Sequence, residues 1–366
     1  MAGFTATELR NVKVELSSIF GADTMDNHLN RDVPIFNEIA GGQQVSFQGD
    51  VRLALLNGKH CEAVEATFML TCDLAVQDCT TDCALPAGPE QCTESVMFEP
   101  SLCFEVPGSV KDFECTNEVT EAQLLARETA RMLAALDQEL EKRMIAQLIG
   151  WSDDLSDIAD DIEVGGLDAA QTIWEIPPAD YTSTLMVDLE CIIEDCELIN
   201  PKIVDGKSWR KTLALSRAVN CNCSGGSCDG GTCHAYDSLL GSIPLTSNIR
   251  EFDSALGATG MLLVDNAKLG YFNRWIHTST SPEAQGDGLN THYYYLESPK
   301  ARWNDSGTST RVKYDWYWQR ICTSEDNWEI RMKGKHRGGF VCYPDGCDGE
   351  PNKKVIQIHK KECTNC

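Results

Sequence analysis

The strongest periodic pattern in the chain lies between residues 120 and 150. Apolar residues recur there at helical spacing, in the stripe Leu125, Leu133, Leu136, Leu140, Met144 and Leu148. Thr120 followed three residues later by Gln123 is a capping box, and Gly150 is a typical helix stop. The pattern predicts one helix of about 29 residues, roughly 43 Å long at about 1.5 Å per residue.

Weaker patterns follow the long helix. Apolar residues at 185, 186, 189, 192, 193 and 196 predict an amphipathic helix over 182–198, which ends before Pro201. A helix at 248–256, a buried strand at 261–264 and a short helix at 267–275 are predicted next. Aromatic and β-branched residues then predict strands at 293–296, 312–318, 328–332, 339–343 and 355–358.

The chain that precedes the long helix lacks a helical period of apolar residues. Residues 1–40 show no sustained period, which is typical of an arm that needs a partner surface. From Gly41 the period becomes two, with Val45, Phe47, Val51 and Leu53 alternating with polar residues, and strand signals continue over 65–74. Residues 77–91 are rich in turn formers. This region predicts a β-rich loop with an exposed tip.

The hydrophobic content and the net charge of the chain exclude some classes of function. The 366 residues are 42% hydrophobic, enough for sizeable cores, and 56 acidic residues against 31 basic ones give a net charge of −25. That charge repels phosphate backbones and anionic lipid. The first twenty residues lack a secretory signal pattern, and no apolar run approaches bilayer length. We therefore expect cytoplasmic synthesis, no membrane and no general nucleic-acid binding.

The eighteen cysteines cluster in loop-like segments. The segment 220–234 contains Cys221, Cys223, Cys228, Cys233 and His234 within a Gly-rich stretch. These residue types suit zinc, but the spacing matches no common zinc finger, and two local disulfides would close the same loop. Disulfides, a metal site and unmodified thiols all remain open for this loop.

The C-terminal cysteines offer a second metal candidate. Cys342 and Cys347 are separated by four residues, and Cys363 and Cys366 by two. This spacing is close to that of a zinc ribbon, in which two knuckles flank a hairpin. Because Cys366 is the last residue of the sequence, disulfides that tether the tail are the alternative.

Neither a catalytic nor a cofactor-binding motif is recognisable. The seven histidines are scattered, and no P-loop, GxGxxG, HExxH or GxSxG pattern occurs. The acidic run at 153–161 lacks the spacing of an EF-hand loop, so it is interpreted as a solvated or interdomain-facing segment. One aromatic set is interpreted as core and interface residues rather than as a stacking platform: Tyr293, Tyr294, Tyr295, Tyr314, Trp316, Tyr317 and Trp318.

Taken in order, these parts resemble the major capsid proteins of tailed bacteriophages (the Hong Kong 97-type capsid fold). The phrases DVPIFNEIAGGQQVSF at 32–47, LDQELEKRMIAQLIG at 136–150 and GMLLVDNAKLGYFNRW at 260–275 are similar in texture to that family. The last of them reads like a strand that runs into a short helix. The cysteine content and the 220–234 loop depart from the family's usual pattern.

The resemblance implies an α+β fold with an N-terminal arm, a β-rich extended loop, a long spine helix and mixed P and A domains. It places the arm at 1–40, the extended loop at 41–118, the spine helix and peripheral domain at 119–204, an axial-type domain with a Cys-rich insertion at 205–310, and a β-rich segment returning to the peripheral domain at 311–366.

The implied function is that of a structural virion protein and not an enzyme. The subunit would self-assemble through pentamers and hexamers into an icosahedral shell around a DNA genome, with portal, auxiliary or decoration proteins as further partners. It would be made in the host cytoplasm and reside in the virion, without a cofactor unless zinc is bound. The alternatives are a cysteine-rich virion accessory, a spike or adhesion module, and a zinc-dependent enzyme.

Overall fold

The computed structural model describes eighteen stretches of the chain: 6–21, 32–41, 63–69, 93–98, 102–111, 120–159, 162, 164–178, 181, 183–196, 198–210, 212–213, 245–246, 248–277, 291–305, 307–322, 328–342 and 354–361. Five α-helices have defined bounds, namely α1 (Ala6–Gly21), α2 (Pro34–Gly41), α3 (Glu121–Gly150), α4 (Ser183–Asp195) and α5 (Ile249–Leu256), and a 3-10 helix spans Ser156–Ile158. None of the helices in these stretches is both long and apolar enough to cross a membrane.

Thirteen strands occur in the same stretches. They are β1 (Val64–Met69), β2 (Thr93–Phe98), β3 (Phe104–Lys111), β4 (Gly166–Leu167), β5 (Ile173–Ile176), β6 (Pro201–Asp205), β7 (Leu245–Thr246), β8 (Gly260–Asp265), β9 (Leu269–Arg274), β10 (Thr291–Asp305), β11 (Thr308–Cys322), β12 (Trp328–Cys342) and β13 (Val355–Lys360). Helices together with mixed sheets make this an α+β fold, as the sequence predicts.

The chain divides into two compact units, each assembled from separate segments. The first unit, called here the long-helix unit, comprises Met1–Gln44, Pro100–Gln147 and Tyr271–Phe340. The second unit comprises Val45–Glu99, Leu148–Gly270 and Val341–Cys366.

The predicted long helix is confirmed as α3, with 30 residues. Its capping box forms as expected, because the Thr120 N–H donates to Gln123 Oε1 at 3.1 Å and the Gln123 N–H donates to Thr120 Oγ1 at 3.3 Å. All six members of the predicted stripe are buried to 1% exposure or less.

A sheet of long antiparallel strands packs under α3 in the long-helix unit. The strand order is β10, β11, β12, β3, and β9 also pairs with β12. A Cβ built on Gly334 of β12 would lie 2.8 Å from Leu136 Cδ1, and one on Gly108 of β3 would lie 2.3 Å from Met132 Sδ. These glycines let the helix approach the sheet closely, so this face of the sheet is its inner face.

The second unit is built on a six-stranded mixed sheet in the order β4, β5, β13, β8, β6, β7. Its core combines Trp174, Ile203, Leu263 and Ile358 of the strands with four residues of α4: Leu185, Leu189, Ile192 and Ile193. The predicted helices at 182–198 and 248–256 and the predicted strand at 261–264 are confirmed here as α4, α5 and β8. Asn248 caps α5 by accepting from the Glu251 N–H.

The helix predicted at 267–275 is wrong, because Leu269–Arg274 forms strand β9. All six residues of β9 are buried, and the strand pairs with β12. Apolar residues on both faces give a short run that fits a helix as well as a strand, so the sheet partner decides its conformation. The predicted strands at 328–332 and 339–343 are parts of one 15-residue strand, β12, although Gly334, Gly338 and Gly339 interrupt its sequence pattern.

The first forty residues contain two helices that the sequence pattern did not indicate. In α2, four apolar residues are exposed by no more than 1%: Ile35, Phe36, Ile39 and Ala40. The ring of Phe36 meets the edge of Tyr271 at 4.9 Å between centroids. Eight residues are too few to display a helical period, so tertiary packing selects this helix.

Candidate functional site: a buried carboxyl under the long helix

Asp137 interrupts the apolar surface with which α3 faces the sheet. Its side chain is 1% exposed and accepts from the Tyr314 hydroxyl at 2.5 Å and from the Ser298 hydroxyl at 2.8 Å. Burial raises the pKa of the Asp137 carboxyl from 3.8 to about 6, although both hydroxyl donors oppose that rise. One carboxyl on the helix therefore binds two neighbouring strands, β10 and β11.

Ser298 connects Asp137 to a β-bulge in β10. The register between β10 and β11 shifts between Glu297 and Arg302, which marks a β-bulge. Within it the Ser298 hydroxyl oxygen accepts from the backbone N–H groups of Lys300 at 3.0 Å and Ala301 at 2.6 Å. Asp137 therefore fixes the bulge through this serine.

Helix α2 is attached beside the same bulge. The Asn37 amide donates to the Lys300 carbonyl at 3.1 Å and accepts from the Arg302 N–H at 2.8 Å, as a neighbouring strand would. The Phe36 N–H, in the first turn of α2, donates to Glu141 Oε2 at 3.4 Å. A carboxylate at a helix N-terminus interacts favourably with the helix dipole. Two buried carboxyls one turn apart on α3 thus support the bulge and α2.

His336 lies on the inner face of β12, near this network. The side chain is fully buried, with Nδ1 at 2.5 Å from the Leu102 carbonyl oxygen and Nε2 at 2.8 Å from the Tyr271 hydroxyl. A carbonyl only accepts, so Nδ1 carries the proton and Nε2 accepts from the tyrosine. Burial lowers the pKa of the imidazole from 6.5 to about 4, which keeps His336 neutral at physiological pH.

The residue types in this network are those of general acid–base catalysis, but their side chains are not accessible from solvent. Asp137, Tyr271, Tyr314 and His336 are all exposed by 1% or less. A general acid or base must lie within hydrogen-bond reach of a substrate atom. Their partners are instead strands of the same unit, so the geometry assigns them to holding α3, the bulge and the sheet together.

A charge pair lies on the opposite, outer face of the sheet. Arg337 Nη1 is 3.4 Å from Asp315 Oδ2, and the two side chains are 3% and 0% exposed. Asp315 Oδ1 also accepts from the backbone N–H groups of Ile276 at 2.9 Å and His277 at 3.2 Å. The pair therefore fixes the chain that leaves β9.

The predicted aromatic set divides between the two faces. Tyr294, Tyr314, Trp316 and Trp318 are buried, which confirms the prediction of core aromatics for these four. Tyr293, Tyr295 and Tyr317 alternate with them, so they lie on the outer face and are half-buried.

The cysteine candidates fall mainly outside the described residues. Only Cys342 of the C-terminal set is described, half-buried at the end of β12, while Cys347, Cys363 and Cys366 are not. The loop cysteines at 221, 223, 228 and 233 are also outside. Cys103 is disulfide-bonded. No group of three or more potential ligands is placed to hold a metal within the described stretches, and both cysteine sites stay predictions.

The sequence analysis missed Asp137, Ser298 and His336. Their signal is weak, although Asp137 and Glu141 are spaced i, i+4 next to the apolar stripe, where a solvated face would not be expected. Asp153, from the predicted acidic run, is also structural, because its side chain accepts from the backbone N–H groups of Lys354 and Val355.

No family model matches the chain, and neither does any curated protein. Solved phage capsids are similar to it. The Cyanophage A-1(L) capsid asymmetric unit is 14% identical, with 87% of this chain and 96% of that chain covered and a TM-score of 0.40. The capsid of Cyanophage P-SCSP1u is 8% identical, with 91% and 90% covered and a TM-score of 0.47. The capsid of Myoviridae phage XM1 is 10% identical, with 89% and 92% covered and a TM-score of 0.39.

Each TM-score lies below 0.5, so the similarity by itself assigns no role to any residue of this chain.

Proposed function

We propose that the chain is the major capsid subunit of a tailed bacteriophage. In this role it self-assembles through pentamers and hexamers into an icosahedral shell that encloses the DNA genome. It acts as a structural protein of the virion and performs no reaction. Portal, auxiliary or decoration proteins are its further partners, and synthesis takes place in the host cytoplasm.

The observation that carries the proposal is the order of parts along the chain. The antiparallel pair β1 and β2 is followed by the 30-residue helix α3, then by most strands of the mixed sheet, and then by the 15-residue strands β10, β11 and β12 of the sheet on which α3 packs. This is the order of extended loop, spine helix and mixed domains that the sequence resemblance implies.

The antiparallel pair of β1 and β2 is a physical reason to expect assembly. Strands β1 and β2 form a sheet of their own, and no other strand in the described stretches pairs with either. An isolated two-stranded hairpin is marginally stable in water. A surface of a neighbouring subunit would stabilise such a hairpin, which supports assembly as the function.

The charge of the chain fits a DNA container. With a net charge of −25, the subunit repels the phosphate backbone, so a genome could be packed inside without sticking to the wall. The buried Asp137 and His336 networks stiffen the long-helix unit, as a subunit under load from its neighbours requires.

Electron microscopy and sedimentation of the purified full-length chain test the proposal. We expect capsomer rings or closed shells. Val96→Pro, which places a proline opposite Ala66 in the middle of β2, should abolish shells and leave the unfolding of the subunit unchanged, whereas Val96→Thr should assemble.

A monomer under all conditions of concentration and salt would overturn the proposal. Trimers that bind glycans would favour an adhesion module. Bound zinc together with turnover would favour an enzyme.

A further inference from the structure

The outer face of the long-stranded sheet differs in charge from the rest of the protein. Direct cross-strand pairs place two sets of charged residues on it. The basic set is Lys111, Arg302, Arg311, Lys313, Arg331, Lys333, Lys335 and Arg337. The acidic set among the described residues is Glu105, Glu297, Asp315 and Glu329. Basic residues thus outnumber acidic ones on this face, in a chain with 56 acidic and 31 basic residues.

Three of the four carboxylates are already in ion pairs on this face. Arg337 pairs with Asp315, Lys333 with Glu105 at 3.4 Å, and Arg331 with Glu329 at 3.1 Å. Their charges therefore compensate one another locally.

Lys313 and Lys335 remain without an ion pair to any carboxylate of the described residues. Lys313 lies opposite Glu297 in the register, but its ammonium group is directed at the ring of Trp275, 4.1 Å from the centroid. Lys335 lies opposite Asp315, whose carboxylate is paired with Arg337. Lys313 and Lys335 thus carry positive charges that no carboxylate of the described residues neutralises in an ion pair.

Half-buried aromatic rings lie on the same face as these lysines, and the rings of Trp275 and Tyr295 lie 4.1 and 5.1 Å from Lys313 Nζ. His277 stacks on Tyr293 at 5.5 Å and meets the edge of Tyr317 at 5.1 Å, and Tyr293 meets Tyr317 at 5.4 Å. Ile276, beside them in sequence, is 48% exposed. Aromatic residues are enriched in protein interfaces, and their side chains lose little entropy when they become buried.

We propose that this outer face is a contact between subunits that receives a carboxylate-rich surface of a second copy of the chain. Charge complementarity selects the partner, because every copy is strongly acidic outside this face. This inference rests on the proposed function and adds to it the surface and the chemistry of one contact. Opposite potentials on two copies would raise the rate of their association and make it depend on salt.

The test compares three double variants of the full-length chain by light scattering during assembly at two salt concentrations. Lys313→Glu with Lys335→Glu should slow assembly by about tenfold at low salt, and the corresponding Gln variant should slow it less. Arg131→Glu with Lys142→Glu changes the net charge equally on exposed positions of α3 and should stay within about twofold of the unmodified chain. Circular dichroism and unfolding curves should be alike for all variants.

Several results would overturn the inference and leave the proposed function intact. One is normal assembly of the Lys313→Glu, Lys335→Glu variant, and another is an equal loss in the α3 variant, since net charge would then be the cause. A third is binding of single-stranded DNA that this variant loses while it assembles normally, because the face would then serve nucleic acid. Failure of the unmodified chain to assemble would instead count against the proposed function.

Discussion

The Tyr314 hydroxyl donates to Asp137 Oδ1 at 2.5 Å, between residues 177 positions apart in sequence. The bond joins the middle of the long helix to β11 in the interior, where both side chains are exposed by 1% or less. Burial raises the pKa of Tyr314 well above 10, so the tyrosine remains a donor throughout the physiological range. This hydrogen bond thus fixes the position of the helix along the sheet, which apolar packing alone would define less sharply.

Asp137 and His336 should give opposite slopes to the pH dependence of stability. The pKa of Asp137 is raised to about 6, so its favourable contribution is present below pH 4 and is lost as the pH rises through about 6. The pKa of His336 is lowered to about 4, so its contribution is present above pH 6.5 and is lost as the pH falls through about 4. Each amounts to about 3 kcal/mol at about 1.4 kcal/mol per unit of pKa shift.

The variant Asp137→Asn separates the two slopes. Because only the Asp137 slope is removed, the free energy of unfolding of the variant relative to the unmodified chain should increase by about 3 kcal/mol between pH 4 and pH 7. Urea unfolding of the unassembled subunit, followed by tryptophan fluorescence, measures this difference. Parallel stability curves for the two proteins would contradict the assigned role of Asp137.

Gly334→Ala should destabilise the long-helix unit by about 1 to 3 kcal/mol through overpacking. The added methyl group would lie 2.6 Å from Trp316 Cζ3 and 2.8 Å from Leu136 Cδ1, and both side chains are buried. Gly150→Ala is the matched control, because nothing lies within 4 Å of its added methyl group. Equal midpoints of urea unfolding for the two variants would show that the helix does not approach the sheet as described.

Leu136→Asp should prevent both stable folding and assembly. Leu136 is 0% exposed, and an unpaired carboxylate there costs several kcal/mol, of the order of 3 to 5. Gln138→Asp, a half-buried position two residues further along α3, is the control and should have a much smaller effect. Soluble Leu136→Asp protein that forms shells would show that the apolar stripe is not buried in the working protein.

Most of the eighteen cysteines should be cross-linked or metal-bound in the mature particle. The loop at 220–234 has few apolar residues to offset its ordering entropy, and closing such a loop by a disulfide is worth roughly 2 to 4 kcal/mol. Thiol titration of denatured particles with and without reductant, combined with elemental analysis for zinc, distinguishes the two chemistries. A count near eighteen free thiols without metal would leave the cysteines as small hydrophobic residues.

Local sequence was sufficient for elements whose stability signals lie within one segment. The capping box at Thr120 and the leucine stripe identified α3 almost to the residue, and the same reasoning placed α4 and α5. A long amphipathic helix repeats its pattern many times, and a cap is made of residues three positions apart, so neither needs information from elsewhere in the chain.

Tertiary structure decided the elements whose partners are distant in sequence. Residues 269–274 became a strand because β12 pairs with them, and α2 formed because Phe36 packs against Tyr271 while Asn37 completes the edge of β10. The role of Asp137 was hidden for the same reason, since its partners Ser298 and Tyr314 are 161 and 177 residues away. The sequence by itself determined the long helix and the acidic charge, whereas the buried carboxyl network and the basic outer face exist only once the strands are aligned, because cross-strand neighbours are set by register and not by sequence distance.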